Sequence, residues 1–502
     1  MKTLFTRKRI FIGVIVLVMI SALTIILLNP LLKGKYPFFF YRKNLTQYSI
    51  DVAFSPRDHR IDCSQQVRFI NSQDTDLWNI YFHLYPNSFK YEEKPVFPPE
   101  EFDRAYPKGF SPGFLEIHKI SLGGKPIPYT TEGYSEDILM LSPEKAIKPG
   151  KVIDIQLDYS VKLPNSPGRF GFWDNTYNIG NWYPIICVYD ERGWNTEPYY
   201  PLGDPFYSDV ADYKVSITAP KEFVIASTGD QVNTAEDGDQ TIWELEAPSV
   251  RDFAWVASEK FRTLSKKVGE TTVHSYFYDI DGGQKVLDYG IAALAIFNGM
   301  FGSYPYKNLS IVQTDFFIGG MEYPKIVMID GSLYGMDEDD WLEIITVHEV
   351  AHQWWYGLVG NDQIHDAWMD EGLAEYSTVL YYGKYYDEAK ERRMYQGLID
   401  IGKYQLYKIY RSDENIDETI HRPLYSFEDW AEYDAMVYGK GAKMFHQLRQ
   451  EMGDEAFFQV LKEYFEGNKY KNAKPRDLFE VCQEVTGQSW ENFFQEWLYE
   501  EK

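Results

Sequence analysis

From Tyr48 to about Phe261, apolar and polar residues alternate in short runs. Tyr48–Phe54, Gln66–Ile70, Val152–Tyr159 and Tyr213–Ile217 follow this pattern, which is the period of a strand with one buried face. Turn residues such as Gly123-Gly124, Pro149-Gly150 and Asp237-Gly238 separate the runs. The pattern predicts an all-β region over residues 48–261, built as a sandwich or an open saddle of sheets. Asn165 to Pro205 breaks the pattern. It is dense in Trp, Tyr, Gly, Asn and Pro and is expected to form a wall of a binding cleft.

Near residue 262 the period changes. Gln284–Phe301 repeats at helical spacing, Leu309–Thr314 reads as a strand, and from Asp339 onward the chain is helix-rich. Asp337, Glu338, Asp339 and Asp340 stand where a helix to about Tyr356 begins, which suits the positive end of its dipole. A second helix is expected over Asp366–Leu380. Residues 262–502 are thus predicted to form a second, mainly helical domain, and the fold class is α+β and multidomain.

The N-terminus has its own pattern. Lys2, Arg7, Lys8 and Arg9 make residues 1–9 a cationic tail, and an apolar run follows from Ile10 to Leu28. At about 1.5 Å per residue a helix of that length covers about 28 Å, enough to cross a hydrocarbon core. The run is longer than the core of a cleaved signal and ends in Leu27-Leu28-Asn29-Pro30. An uncleaved transmembrane signal anchor over 10–28 is expected, followed by a stalk over 29–47. The cationic tail favours a cell-membrane, single-pass topology with the large domain outside.

Composition narrows the function. The net charge is −25, so a basic footprint for phosphates is missing and nucleic acid is not an expected partner. Cys63, Cys187 and Cys482 are too few and too far apart for a disulfide framework or a cysteine zinc cluster. They read as buried thiols.

The chemistry is concentrated in Val347-His348-Glu349-Val350-Ala351-His352. Residues four apart share a helix face, so His348 and His352 can hold one metal ion through their imidazoles. Glu349, between them, can reach a water at that ion as general base. A catalytic zinc takes three protein ligands and keeps one position open. The metzincin pattern would place its third histidine where Leu358 stands, which excludes that class. His365, Asp366, Asp370, Glu371 and Glu375 remain as candidates. Glu371 and Glu375 lie one turn apart on the second predicted helix, where one can ligate while the other supports a histidine from behind. Spacing does not separate them.

The stretch HEVAHQWWYGLVGNDQIHDAWMDEGLAEY, His348 to Tyr376, resembles the zinc signature of the M1 aminopeptidases, gluzincins with a thermolysin-like catalytic domain. That family places a glutamate ligand after eighteen intervening residues, and counting from His352 lands on Glu371. The resemblance implies one Zn2+ per chain, held by His348, His352 and Glu371, with Glu349 as base and Glu375 behind a ligand. Gly319-Gly320-Met321-Glu322-Tyr323-Pro324 is similar to the family's G-x-M-E-N exopeptidase motif. It implies substrate binding by Gly319, Gly320, Met321, Glu322 and Tyr323, with Glu322 receiving the free α-amine. Tyr323 stands where the family has asparagine, so the amide contact to substrate is lost or replaced. Tyr438-Gly439-Lys440-Gly441-Ala442 resembles the family's tyrosine motif, opening a helix to about Met452. Tyr438 would donate to the oxyanion, with Tyr433 as rival.

Many members of the family continue with a helical C-terminal domain, whereas this chain ends 64 residues after Tyr438. A more open cleft, fewer distal contacts or a homodimer partner supplying the missing wall are the expectations. Taken together, the sequence reads as a membrane-anchored zinc aminopeptidase acting on peptides with a free N-terminus. A thermolysin-type endopeptidase and an inactive peptidase-like binding module are the alternatives.

Overall fold

The computed structural model describes residues 45–336, 340–412 and 416–499. The expected anchor at 10–28, its cationic tail, almost all of the stalk and the acidic residues 337–339 lie outside them. Among the described residues, no helix is long and apolar enough to cross a membrane.

The strand pattern folds into an eight-stranded sheet. Its order is Asp230–Asp237, Gln240–Val250, Ala211–Pro220, Thr46–Ser55, Arg60–Ile70, Val152–Lys162, Phe114–Leu122, Lys125–Pro126. Only Thr46–Ser55 and Ala211–Pro220 run parallel; the other neighbours are antiparallel. Tyr48, Ile50, Val52 and Phe54 are buried while Gln47, Ser49, Asp51 and Ala53 between them are exposed, so one face packs and the other meets water. The strand expected at Gln66–Ile70 begins earlier, at Arg60. Its first half was masked by Gln65, a polar residue at an inward position. Gln65 is buried, accepts the Tyr159 hydroxyl at 2.9 Å and donates to the Pro184 carbonyl at 2.9 Å. Among the described residues, two four-stranded sheets and a two-stranded one, Tyr189–Asp190 with Gly193–Trp194, complete the β-rich part.

A five-stranded mixed sheet follows, in the order Arg262–Val268, Thr271–Phe277, Asn308–Thr314, Ile326–Asp330, Gly320–Met321. Among the described residues no sheet pairs a strand from before Phe261 with one after it. From Thr46 onward the chain nevertheless packs as one unit.

The helices differ from expectation at their ends. Ile280–Met300 starts four residues before Gln284, capped by Asp279, whose side chain accepts the Gly282 N–H at 3.1 Å. The motif helix is Trp341–Ala351 and stops well short of Tyr356. There His352 Nδ1 bonds the Trp355 carbonyl at 2.9 Å, and Tyr356 sits at φ +108°, turning the chain back. The second helix is Glu371–Tyr385, behind a 3₁₀ turn at Ala367–Met369. Tyr438 does not open a helix. It lies in a π-helical stretch, Asp434–Lys440, that continues Trp430–Tyr433 into Gly441–Met452. A second π-helical stretch, Tyr395–Gln405, packs beside it, and such widened turns recur at functional sites. The three cysteines are buried free thiols.

Candidate metal centre and active-site cleft

Three ligating atoms converge between the motif helix and the helix that follows it. His348 Nε2 and His352 Nε2 face each other at 3.0 Å, and Glu371 Oε2 lies 3.3 Å from the first and 3.1 Å from the second. His352 Nδ1 faces the Trp355 carbonyl at 2.9 Å, and His348 Nδ1 faces Glu375 Oε2 at 3.1 Å. A carbonyl and a carboxylate only accept, so both Nδ1 atoms carry the proton and both Nε2 lone pairs point inward. Two lone pairs and a carboxylate oxygen facing one point repel unless a cation lies between them. Ligands at about 2.0–2.1 Å in a tetrahedron stand about 3.3 Å apart, so the donor set fits zinc.

The carboxylates around this centre favour positive charge at it, whether a proton on a histidine or a bound cation. Burial opposes charge on His348, yet Glu371 and Glu375 pull its pKa up to about 9. Burial likewise opposes charge on Glu371, but His352 and His348 hold it far below the ordinary carboxylate range. The remaining candidate ligands are engaged elsewhere. His365 pairs with Asp362 at 2.9 Å, Asp366 with His421 at 3.0 Å, and Asp370 accepts from Asn361 and Gln363 at 2.9 and 2.8 Å.

Glu349 is buried beside this centre, and its Oε2 has no hydrogen-bond partner among the described residues. Burial pushes its pKa up to about 7 against the pull of the two histidines. The edge strand passes directly over it: a Cβ on Gly320 would lie 2.2 Å from Glu349 Oε1. Tyr438 stacks on His348, with ring centroids 5.8 Å apart, and lines the cleft. Burial and the Glu371 charge push its phenol up, so it remains a donor. Tyr433 packs behind Tyr438, with ring centroids 5.7 Å apart, and is not among the lining residues.

The cleft encloses about 270 Å³. In its lining Asp204, Glu322 and Glu371 bring carboxylate oxygens within 4.8 Å of one another. Burial pushes Glu322 well above its ordinary range, and Asp204 adds to the push. Burial also raises Asp204, although Arg169 forms a buried ion pair with it and pulls the other way. Glu322 is thus held toward its neutral form, a state that an incoming cation reverses. From the Gly319–Tyr323 segment, Gly320 and Glu322 line the cleft, while Gly319, Met321 and Tyr323 do not. Tyr323 is fully buried, and its hydroxyl donates to Asn181 Oδ1 at 2.5 Å.

The irregular stretch 165–205 supplies Arg169, Tyr199, Tyr200, Pro201, Gly203 and Asp204 to the cleft wall. Sequence reading did not single out Arg169 or Asp204, because no spacing links them to the motif. It also passed over Lys403, whose ammonium lies 5.1 Å from the centre of the Tyr438 ring and 3.8 Å from Glu375.

A β-rich half, a mixed sheet whose edge strand overhangs an HExxH helix, and a His-His-Glu donor set together make a buried site suited to a divalent metal ion. Residues 286–497 match the model of the Peptidase family M1 domain. It is 26% identical over 302 residues to "Aminopeptidase M1-D" of Oryza sativa subsp. japonica, covering 57% of this chain and 34% of that protein. It is 23% identical over 403 residues to "Aminopeptidase N" of Lactococcus lactis subsp. lactis, covering 76% and 46%. The chain therefore spans well under two thirds of these relatives. The M1 zinc metallopeptidase of Deinococcus radiodurans shares the fold, with a TM-score of 0.62 at 16% identity over 91% of this chain and 94% of that one. A mutant form of that protein has been solved with a Tyr-Ser-Ala substrate.

Proposed function

We propose that this protein is a zinc-dependent aminopeptidase that removes N-terminal residues from peptides. One observation carries the reading. Beside the His348–His352–Glu371 group stand two further buried carboxylates, Glu322 and Asp204, whose oxygens lie within 4.8 Å of one another and of Glu371. An α-ammonium lies one residue from the first peptide bond. Carboxylates set there count one residue in and penalise a blocked amine, which cannot supply the charge.

When bound, zinc supplies a Lewis acid that polarises the scissile carbonyl and acidifies water. The residues of this chain do the rest. His348, His352 and Glu371 would hold the ion, and Glu375 would keep His348 in its ligating tautomer. Glu349 takes a proton from the attacking water and delivers it to the departing amine. Tyr438 donates its O–H to the oxyanion that develops on the carbonyl. Glu322 and Asp204 accept the N–H bonds of the substrate ammonium.

The apolar run Ile10–Leu28 behind a cationic tail supports a single-pass anchor with the peptidase outside the cell. Protease added to intact cells should then release the domain, and full protection would place it inside.

The activity is tested with a free-amine aminoacyl reporter and its N-acetylated twin, each with and without a zinc chelator. Chelator-sensitive hydrolysis of the free amine alone is expected. Hydrolysis of the acetylated twin would contradict the reading and favour an endopeptidase.

A further inference from the structure

Glu322 is a buried carboxylate in a short turn between Gly320–Met321 and Ile326–Asp330. Its side chain is weakly held from the front, by Gln363 Nε2 at 3.4 Å. Its direction therefore depends on how its backbone is fixed.

One clamp comes from the metal side. Gln353, adjacent to His352, accepts the Lys325 N–H at 2.7 Å and donates to the Tyr323 carbonyl at 3.2 Å. A second connection runs the other way, into the β-rich part. The Tyr323 hydroxyl donates to Asn181 Oδ1 at 2.5 Å, and Asn181 Nδ2 donates to Asp252 Oδ2 at 2.7 Å. Asp252 Oδ1 in turn accepts the Tyr183 hydroxyl at 2.8 Å and the Phe253 N–H at 2.6 Å. Tyr323, Asn181 and Asp252 are 0%, 4% and 1% exposed. Each donor in the chain has an acceptor, and the series ends on a carboxylate, which strengthens the bonds that lead to it.

The receiving side is shaped around this tyrosine. Asn181 adopts φ +49°, a left-handed conformation that asparagine tolerates better than most residues. Beside it, a Cβ on Gly180 would lie 2.0 Å from the Tyr323 hydroxyl oxygen. A phenylalanine would fill the same hole, but it would leave the Asn181 oxygen without its donor. The hydroxyl therefore contributes something that packing alone does not require.

Glu322 lines the cleft, and Tyr323 enters the wall behind it. We propose that Tyr323 is a positioning residue for the amine subsite: its hydrogen-bond chain through Asn181 to Asp252 ties the Glu322 turn to the β-rich half and aims the Glu322 carboxylate. This rests on the reading of Glu322 as the group that receives the substrate amine. It gives the tyrosine a role behind the subsite, in place of a contact with substrate.

The test compares steady-state kinetics of the full chain in detergent on the free-amine reporter, with melting temperature and bound zinc measured alongside. Tyr323→Phe removes the hydroxyl and keeps the ring. Asn181→Gly removes the link while tolerating the left-handed backbone, and it carries the test if the first variant folds poorly. Tyr159→Phe is the control, because its hydroxyl also donates to a buried amide oxygen, Gln65 Oε1 at 2.9 Å, in the eight-stranded sheet. Glu322→Ala tests the amine reading separately.

Tyr323→Phe and Asn181→Gly should each raise KM about five- to tenfold with kcat within about twofold, the signature of lost substrate binding. Bound zinc should be unchanged, and Tyr159→Phe should leave KM as it is. If Tyr323→Phe lowers only the melting temperature, as Tyr159→Phe does, while Glu322→Ala raises KM, the anchoring role is overturned and the amine reading stands. If Glu322→Ala leaves KM unchanged, the amine reading itself fails and the anchoring role falls with it.

Discussion

The Nδ1 of His348 lies 3.1 Å from the Oε2 of Glu375, one helical turn beyond Glu371. Glu371 and Glu375 share a helix face but do different work. Glu371 faces both Nε2 atoms, and Glu375 stands behind one of the rings. Lys403 lies 3.8 Å from the Glu375 carboxylate and favours its charge. Glu375→Gln should therefore weaken zinc binding by about 10- to 100-fold, as is typical when such a supporting bond is lost. Competition with a chelating dye measures it, and an unchanged affinity would remove Glu375 from the metal site.

Glu349 points its unpartnered Oε2 into a buried site and is not one of the three converging ligands. Glu349→Gln should keep one zinc per chain by elemental analysis and lower kcat by about 10²-fold or more, the scale of general-base catalysis. Loss of zinc in this variant would mean that Glu349 ligates. Near-normal turnover would mean that another group is the base.

Tyr438 and Tyr433 are separated by their access to the cleft. Tyr438→Phe should lower kcat by about 10²-fold with a small change in KM, as when one oxyanion donor is removed. Tyr433→Phe should leave kcat close to wild type, because its ring packs behind. The reverse ranking would transfer the oxyanion role to Tyr433.

Arg169 and Asp204 form a buried ion pair at the cleft wall. Arg169→Met strands a buried carboxylate and should cost about 3–5 kcal/mol in denaturant melts. Asp204→Asn in the same chain should recover part of that loss, because no charge is then left unpaired. Simple additivity of the two changes would show that the pair is not coupled.

Regular elements were legible where one physical period dominates. The alternation at Tyr48–Phe54 marks a strand with a single wet face, and it extended by only a residue or two. The two histidines were legible because residues four apart on a helix share a face, whereas spacing left Glu371 and Glu375 unseparated and the choice of Glu371 was carried by the family resemblance. Other features depend on contacts distant in sequence. Gln65 is polar yet inward, because Tyr159 and Pro184 satisfy it. Asp204 joins the carboxylate cluster through the path of an irregular stretch, and no period in the sequence encodes that path. Tyr438 lies inside a π-helical turn, and its identity was carried by a resemblance while its setting came from packing against Tyr395–Gln405. Tyr323 looked like a defect in a substrate-contacting motif until Asn181 and Gly180 were seen around it.

The most direct measurement is diffraction at the zinc absorption edge from crystals of the protein holding a free amino acid. The account predicts one ion about 2.0–2.2 Å from His348 Nε2, His352 Nε2 and Glu371 Oε2. It also predicts the amino nitrogen within about 3 Å of both Glu322 and Asp204. An ion bound elsewhere, or an amino group turned away from those two carboxylates, would contradict it.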